Sequence, residues 1–171
     1  KERGKGMREK YYLDNDWYFS EKWEAAQSNA EYDEAAMQSV RIPHTVKELP
    51  FHYFDEHAYQ MVSGYRRHLL VKKEWEGKVV RLTFEGVAHD SEVFVNGKKA
   101  GAHHCGYTAF TIDISALLYY GEDNIIAVRV DSNENLNVPP FGFVIDYMTY
   151  GGIYRDVYLE INEESYLADV F

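Results

Sequence analysis

A period-two alternation of apolar and polar residues runs through most of this chain. Val80, Leu82 and Phe84 alternate with polar residues, and Val93 and Val95 repeat the pattern in a later segment. Successive side chains of a strand point to opposite faces, so this alternation is typical of strands with one buried face. The pattern therefore predicts a chain built mainly from β-strands.

Turn signals separate the alternating segments. The dipeptide Asn96-Gly97 is the strongest, because a type I′ hairpin needs positive φ at both central positions. Later segments alternate through Phe110, Ile112 and Ile114, then Ile126, Val128 and Val130, and finally Ile153, Val157, Leu159 and Ile161. About eight strands without intervening helices predict an all-β fold, an antiparallel β-sandwich of the jelly-roll type.

The length of 171 residues suits one domain with a core of its own. Aromatic residues make up 16% of the chain, with fifteen Tyr, nine Phe and three Trp. Aromatic side chains favour strands, and they also supply flat faces on which sugar rings can stack. We expect most of them in the core and a minority at a binding surface.

Charge and apolar content exclude two classes of partner. The net charge of −10 argues against nucleic acid, whose phosphates need a basic surface. No apolar run reaches the ~18 residues of a membrane span, so no membrane partner is predicted. The single cysteine, Cys105, permits no internal disulfide, which favours a reducing, cytoplasmic compartment.

Residue patterns typical of a metal site or a catalytic pair are not found. His103 and His104 are adjacent, so on a strand they point to opposite faces, and no ligand spacing supports a metal or another cofactor. Cys105 beside them is expected to be a small buried hydrophobe rather than a nucleophile. The acidic pairs Asp55-Glu56 and Glu163-Glu164 are expected to be solvated, and no pair of carboxyls suits glycoside hydrolysis.

Asp146 differs from the other acidic residues in its surroundings. It follows a loop that contains Pro139-Pro140 and stands among the aromatic residues Phe141, Phe143, Tyr147 and Tyr150. A carboxylate in aromatic company can accept two sugar hydroxyls while the rings cover the apolar faces of the sugar. An Asp that caps a turn is the alternative. Gly151-Gly152, which follows, indicates a backbone requirement at the start of a strand.

A run of landmarks across nearly the whole chain resembles the N-terminal sugar-binding domain of glycoside hydrolase family 2, the β-galactosidase and β-glucuronidase family. The landmarks are Trp17, Ile42-Pro43-His44, Gly64-Tyr65-Arg66-Arg67, Phe84-Glu85-Gly86-Val87, Val93–Gly97, Gly106-Tyr107-Thr108, Asp113-Ile-Ser115, Asn124–Val130 and Gly151–Val157. The resemblance implies a galactose-binding-domain-like jelly roll that precedes an immunoglobulin-like domain and a TIM barrel. In the family, the barrel carries both catalytic glutamates.

The resemblance also implies domain limits and substrate contacts. Residues 1–165 would form the sugar-binding domain, and residues 166–171 would begin the following immunoglobulin-like domain. An Asp six residues before the second glycine of the Gly-Ile-x-Arg motif contacts a sugar hydroxyl in the family, and Asp146 matches it, with Tyr147 beside it. Residues 43–64 contain no Asn, which supplies a second contact in β-galactosidases. His57 and Tyr59 are candidates for that role.

The predicted function is that of a non-catalytic N-terminal domain of a β-galactosidase-like enzyme that hydrolyses terminal β-linked sugars with retention. Its partners would be the carbohydrate substrate, the downstream domains of the same chain and, as family members are often oligomers, further copies of itself. Two alternatives stay open. The chain could be a free-standing carbohydrate-binding module, or a structural domain used in oligomerisation.

Overall fold

A computed structural model describes residues 9–48, 52, 55–138 and 148–166. Twelve strands occur in these residues rather than the eight or so predicted, because several are only two to four residues long. The strands are β1 Glu9–Tyr12, β2 Trp17–Ser20, β3 Gln38–Val40, β4 Val62–Leu70, β5 Val79–Phe84, β6 Val87–Ala88, β7 Asp90–Val95, β8 Lys98–His103, β9 Phe110–Asp113, β10 Asp123–Asp131, β11 Gly152–Ile153 and β12 Val157–Asn162.

The strands form two main sheets and a small third one. One sheet has the order β1-β12-β5-β9, the second has the order β3-β2-β4-β10-β7-β8, and β11 pairs with β6. Every pairing between these strands is antiparallel. The helices of the described residues are short 3-10 turns, and none of them is long and apolar enough to cross a membrane. The predicted all-β fold is confirmed.

The core contains the apolar residues that the alternation marked. Val80, Leu82 and Phe84 of β5 are buried in one cluster together with Val93 and Val95 of β7. The cluster thus joins residues from both main sheets, as in a sandwich. The polar neighbours of these residues on the same strands point away from it.

Strand β10 departs from the half-buried pattern, because it is covered on both faces. Ile126 and Val128 belong to the core, while Ile125 and Ala127, on the opposite face, are buried as well. The 3-10 helix Ala25–Ser28 lies against β10 on this second face. The segment between β2 and β3 therefore covers the outside of the six-stranded sheet.

Arg66 of β4 anchors that covering segment. Its side chain is 0% exposed, and its guanidinium donates to the carboxylate of Glu34. The same group donates to the backbone carbonyls of Gln27 and Asn29, each at 2.6 Å, and of Ala30 at 3.0 Å. A buried charge is tolerated only when its hydrogen bonds are satisfied, and this one has four acceptors.

The Asn96-Gly97 turn joins β7 to β8 as predicted. Both residues have positive φ, +50° and +78°. The Asn96 side chain also accepts from the Ile125 N–H at 2.9 Å and donates to Oδ1 of Asn124 at 2.7 Å. Asn124 is itself fully buried, and it bonds the backbone of Tyr119 in both directions. Buried amides therefore close this end of the sandwich with their hydrogen bonds satisfied.

The predicted limit between residues 165 and 166 stays a prediction. Strand β12 ends at Asn162, and residues 167–171 lie outside the described residues.

Replacing Arg66 should destabilise the domain strongly. We expect Arg66→Met to lower the free energy of unfolding by about 3 kcal/mol, because the change removes the donor to three carbonyl groups and leaves the Glu34 carboxylate with His68 alone. Urea denaturation of the purified chain measures the effect. The exposed Arg41 provides the matched control. Arg41→Met should change stability by less than about 0.5 kcal/mol, and equal losses for the two variants would contradict the anchoring role of Arg66.

Candidate functional site

Three parts of the chain meet where β10 ends. The residues that follow β10 run from Ser132 to Val138, and the turn between β6 and β7 packs beside them through a hydrogen bond from the His89 N–H to the Asp131 carbonyl at 3.1 Å. The third part begins at Met148. Asp146 and Tyr147, the predicted substrate contacts, lie outside the described residues, between Val138 and Met148. The described residues therefore include the two segments that flank the predicted binding loop. We call residues 132–138 the outgoing stem and the segment that begins at Met148 the returning stem.

The glycine pair fixes the returning stem against the segment around His44. Gly152 has a φ of +113°, and a Cβ at this position would lie 2.7 Å from the His44 carbonyl oxygen and 2.7 Å from the Tyr65 hydroxyl. The backbone on either side bonds to the same segment, Val46 N–H to Gly151 O at 3.0 Å and His44 N–H to Ile153 O at 2.8 Å. The predicted backbone requirement is confirmed, since only glycine fits this close approach.

The outgoing stem is fixed to the loop that precedes β4. Ser132 donates from its hydroxyl to the Tyr59 carbonyl at 2.6 Å and from its N–H to the Met61 carbonyl at 3.0 Å. A Cβ on Gly151 would lie 2.5 Å from the Cβ of Ser132, so the two stems also pack on each other. The loop before β4 and both stems thus form one unit.

The two weaker predicted contacts occupy different environments. His57 is exposed, and its backbone N–H donates to the side chain of Asp55. Asp55 therefore caps the 3-10 helix Glu56–Tyr59, whereas the sequence predicted a solvated carboxylate. Tyr59 is 1% exposed, and its ring meets that of Tyr150 edge to face, with the centroids 5.3 Å apart. The fold therefore brings Tyr59 next to Tyr150 of the returning stem. Tyr150 lies three residues after Tyr147 in the sequence. A substrate contact by either residue stays a prediction.

A polar cavity opens beside the outgoing stem, with a volume of about 350 Å³. It is lined by His89, Asp90, Asp131 and Asn133–Val138. Asp131 is held by Arg129 at 2.8 Å and accepts from the Asn133 side chain at 2.8 Å. This volume lies at the lower end of the ~300–1,000 Å³ range of ligand pockets. Its amide and carboxylate groups suit a ligand rich in hydroxyls.

An aromatic cleft lies beside the returning stem, with a volume of about 160 Å³. It is lined by Ala88, His89, Tyr107, Met148–Tyr150 and Tyr154. His89 belongs to both the polar cavity and the aromatic cleft, so a single side chain lies between the two. Tyrosine rings and one imidazole make this surface suitable for the apolar face of a ring-shaped ligand.

His89 lines both the polar cavity and the aromatic cleft, although no motif in the sequence marked it. It is 4% exposed, and its Nδ1 atom has no hydrogen-bond partner within the described part of the chain. Burial lowers the pKa of the imidazole, and the nearby Asp131 opposes this shift. The only signal in the sequence was a polar pair, His89-Asp90, between two apolar strand segments.

His103, His104 and Cys105 make contacts with neighbouring residues of the fold. The His103 ring stacks on Phe110 with the centroids 4.5 Å apart, and Nδ1 of His104 lies 2.8 Å from Asp90. Cys105 is partly exposed rather than buried as expected, and a hydrogen bond with the Thr108 side chain lowers the pKa of its thiol. Across the described ranges, no group of three or more His, Cys, Asp or Glu side chains could hold a metal ion.

Replacing Gly152 should be more costly than replacing Gly77, because neighbouring atoms leave no space for a side chain at Gly152. We expect Gly152→Ala to lower the free energy of unfolding by about 3 kcal/mol, since the new methyl adds overlap with two oxygens to the cost of positive φ. Gly77 is the control, with a φ of +81° and no atom within 4 Å of its added Cβ. Gly77→Ala should cost about 1 kcal/mol in urea denaturation, and an equal cost would contradict the close approach at Gly152.

Burial of neutral His89 should make stability fall in acid. The pKa of the folded state lies below the ordinary value of 6.5, so below pH 6.5 the unfolded state binds more protons than the folded state. Stability contributed in this way is present above that pH and is lost as the pH falls. Between about pH 7 and pH 5, the wild type should lose up to about 1 kcal/mol more than His89→Gln. Parallel pH curves from thermal denaturation would contradict this prediction.

Known proteins match this chain in sequence and in fold. Residues 10–162 match the family model described as glycosyl hydrolases family 2, sugar binding domain. The chain is 44% identical over 142 residues to a β-galactosidase of Thermoanaerobacter pseudethanolicus, and the match covers 82% of this chain and 19% of that protein. It is 38% identical over 165 residues to a β-galactosidase of Thermoanaerobacterium thermosulfurigenes, covering 96% of this chain and 23% of that protein.

Solved structures give the same result for the fold. A β-glucuronidase from Bacteroides uniformis superposes with a TM-score of 0.78 at 27% identity, over 91% of this chain and 18% of that one. The chain spans about a fifth of the length of the curated relatives it matches. Because the family model covers nearly the whole sandwich, the chain belongs to glycoside hydrolase family 2, as its sugar-binding domain.

Proposed function

We propose that this chain is the non-catalytic N-terminal domain of a β-galactosidase-like glycosidase that removes terminal β-linked sugars with retention, and that its loop carboxylate Asp146 binds the sugar. The observation that carries the proposal is the match to the family's sugar-binding domain over residues 10–162. The relatives named above act as β-galactosidases or a β-glucuronidase, and this chain corresponds to a fifth of their length.

The stems described above support a binding role for the loop between them. Loops fixed on a rigid sandwich commonly carry binding residues, because the scaffold holds them without itself being altered by the ligand. Here the outgoing stem is tied to the loop before β4 through Ser132, and the returning stem packs on Ser132 through Gly151. A carboxylate on such a loop can accept two hydroxyls of one sugar at well-defined positions.

The catalytic step is assigned to the remainder of the parent polypeptide. Retaining hydrolysis needs two carboxyl groups about 5–5.5 Å apart, one as nucleophile and one as acid and base. Asp146 would instead fix the sugar while those groups act on it. An ionised hydrogen bond of this kind contributes roughly 1.5–3 kcal/mol.

The exposed tyrosines favour a second candidate function, that of a carbohydrate-binding module. Tyr107 and Tyr150 are both partly exposed and line the aromatic cleft. A module of this type would bind sugars without the rest of the parent chain. Calorimetric titration of the isolated chain with a sugar panel separates the two functions, because a contributing domain should show no binding by itself.

Loss of Asp146 should reduce activity without reducing stability. We expect Asp146→Ala, made in the full-length natural polypeptide, to lower kcat/KM about ten- to hundredfold, since each ~1.4 kcal/mol is a factor of ten. The substrates are aryl β-galactoside, β-glucuronide, β-mannoside and β-glucoside, and the melting temperature is measured alongside. An unchanged melting temperature indicates that the side chain acts on the substrate rather than on its own loop.

The exposed Glu31 is the matched control, an acidic residue in the segment that precedes β3. Glu31→Ala should leave both kcat/KM and the melting temperature unchanged. An Asp146→Ala enzyme as active as the wild type would refute the role of the loop carboxylate. A full-length wild type inactive on every glycoside would refute the proposed function itself.

A further inference from the structure

The outer face of the four-stranded sheet carries an uncharged row of side chains. On β12, Leu159 belongs to the core, so its neighbours Tyr158 and Glu160 point to the opposite, outer face. The strand register gives Tyr158 a neighbour at the same level on each of the other three strands. The row therefore crosses the whole sheet, and we call its four members the tyrosine row: Tyr12 of β1, Tyr158 of β12, Thr83 of β5 and Thr111 of β9.

The tyrosine row has the composition of a contact surface. The rings of Tyr12 and Tyr158 lie 5.8 Å apart, and Tyr12 is 57% exposed. The hydroxyls of Thr83 and Thr111 bond to each other at 2.8 Å, so neither of them requires water as a partner. Sheet faces that are open to water usually carry polar side chains, whereas aromatic residues are enriched at protein interfaces. The row thus suits contact with protein better than contact with solvent.

The polypeptide that leaves β12 turns back over this face. Strand β12 ends at Asn162, whose register partner is Val79 at the start of β5. Four residues later, the Tyr166 hydroxyl accepts a hydrogen bond from Arg81 at 3.4 Å. Arg81 lies two residues further along β5 than Val79, in the direction of the tyrosine row. The chain that follows β12 is therefore directed along the outer face towards the row.

Two hydrogen-bond donors on the same face suit an acceptor from outside the described residues. Asn162 shares the face with Tyr158, is 6% exposed, and has an Nδ2 atom without a partner among the residues that the structure describes. The ammonium of Lys10 lies over the Tyr158 ring, 3.3 Å from its centre. Buried donors in native proteins are nearly always paired. Backbone carbonyl groups of a further stretch of polypeptide would supply such acceptors.

The size of the face suits contact between two domains of one polypeptide. Strands lie about 4.8 Å apart and advance about 3.3 Å per residue, so four strands of about five residues present roughly 300 Å². Interfaces between domains of one chain bury about 600–1,500 Å² over both partners. The outer face therefore supplies one side of a small interface of this kind.

We propose that the tyrosine row binds the polypeptide that follows this domain in the parent chain. This inference rests on the proposed function, in which further domains follow, and the chain spans about a fifth of the length of its curated relatives. The occupant is that polypeptide rather than a soluble ligand, because the chain after β12 already runs along the face and bonds to Arg81. Tyr12 is then exposed in this domain alone and covered in the whole protein.

The first test measures side-chain reactivity in the full-length natural polypeptide. Hydroxyl radicals label exposed Tyr and Leu side chains, and mass spectrometry gives a rate for each residue, divided by its rate in denaturing urea. We expect Tyr12 to react about fivefold more slowly than its 57% exposure predicts, because the core of an interface is almost fully buried. Leu70 is the control, since it alternates with the core residue Leu69, is 72% exposed on the outer face of the other sheet, and should react as that exposure predicts.

The second test asks whether the row itself makes the contact. Tyr12→Lys replaces one ring by a charged side chain, and Leu70→Lys makes the same change on the other sheet. Limited proteolysis of the full-length polypeptide measures cleavage in the segment that follows Tyr166, and its rate tracks the population of the open form. Tyr12→Lys should raise this rate about five- to tenfold, the size of one lost aromatic contact, and Leu70→Lys less than about twofold. The buried Trp17 should stay unlabelled in both variants, which establishes that the domain is folded.

Three results would overturn the proposal. One is a wild type in which Tyr12 reacts at the rate that its exposure predicts, and another is equal cleavage of the two Lys variants. The third is protection of Tyr12 that disappears when dilution converts an oligomer into a monomer in sedimentation, since that would assign the row to a second copy. The proposed function fails separately, when the full-length wild type hydrolyses no glycoside although Tyr12 is protected.

Discussion

The burial of β10 on both faces is the constraint on which the rest of the structure depends. This nine-residue strand pairs with β4 on one side and β7 on the other, and its two faces contact the core and the segment between β2 and β3. That segment stays on the sheet because Arg66 holds its carbonyl groups. A strand fixed on four sides gives both of its ends defined positions, and those ends carry the turns and stems described above.

Buried polar groups lie at both ends of β10, and some of them, such as Trp75 Nε1 near its start, have no partner within the described ranges. At the start of the strand, Asn124 and Asn96 satisfy each other and the surrounding backbone. Near the end of the strand, His89 Nδ1 and the Tyr59 hydroxyl have no partner within the described ranges. Fully paired networks rigidify a fold, whereas unpaired groups mark places where a ligand or water completes the bonding.

The family match and the local geometry rest on different observations of this chain. The match over residues 10–162 identifies the type of domain. The cleft, the cavity and His89 between them indicate how such a domain could contribute to recognition beyond one loop carboxylate. The residues that line the cleft and the cavity come from four separate stretches of chain, which only the fold brings together.

The sequence by itself determined the alternating strands, the Asn96-Gly97 turn and a backbone requirement at Gly151-Gly152, because alternation and positive φ are properties of a few adjacent residues. The landmark motifs likewise indicated the family. Only the tertiary structure decided that β10 is covered on both faces, that Tyr59 meets Tyr150, and that His89 lies between two cavities. These features depend on contacts between residues distant in the chain, and no local pattern encodes which strand will lie beside which loop.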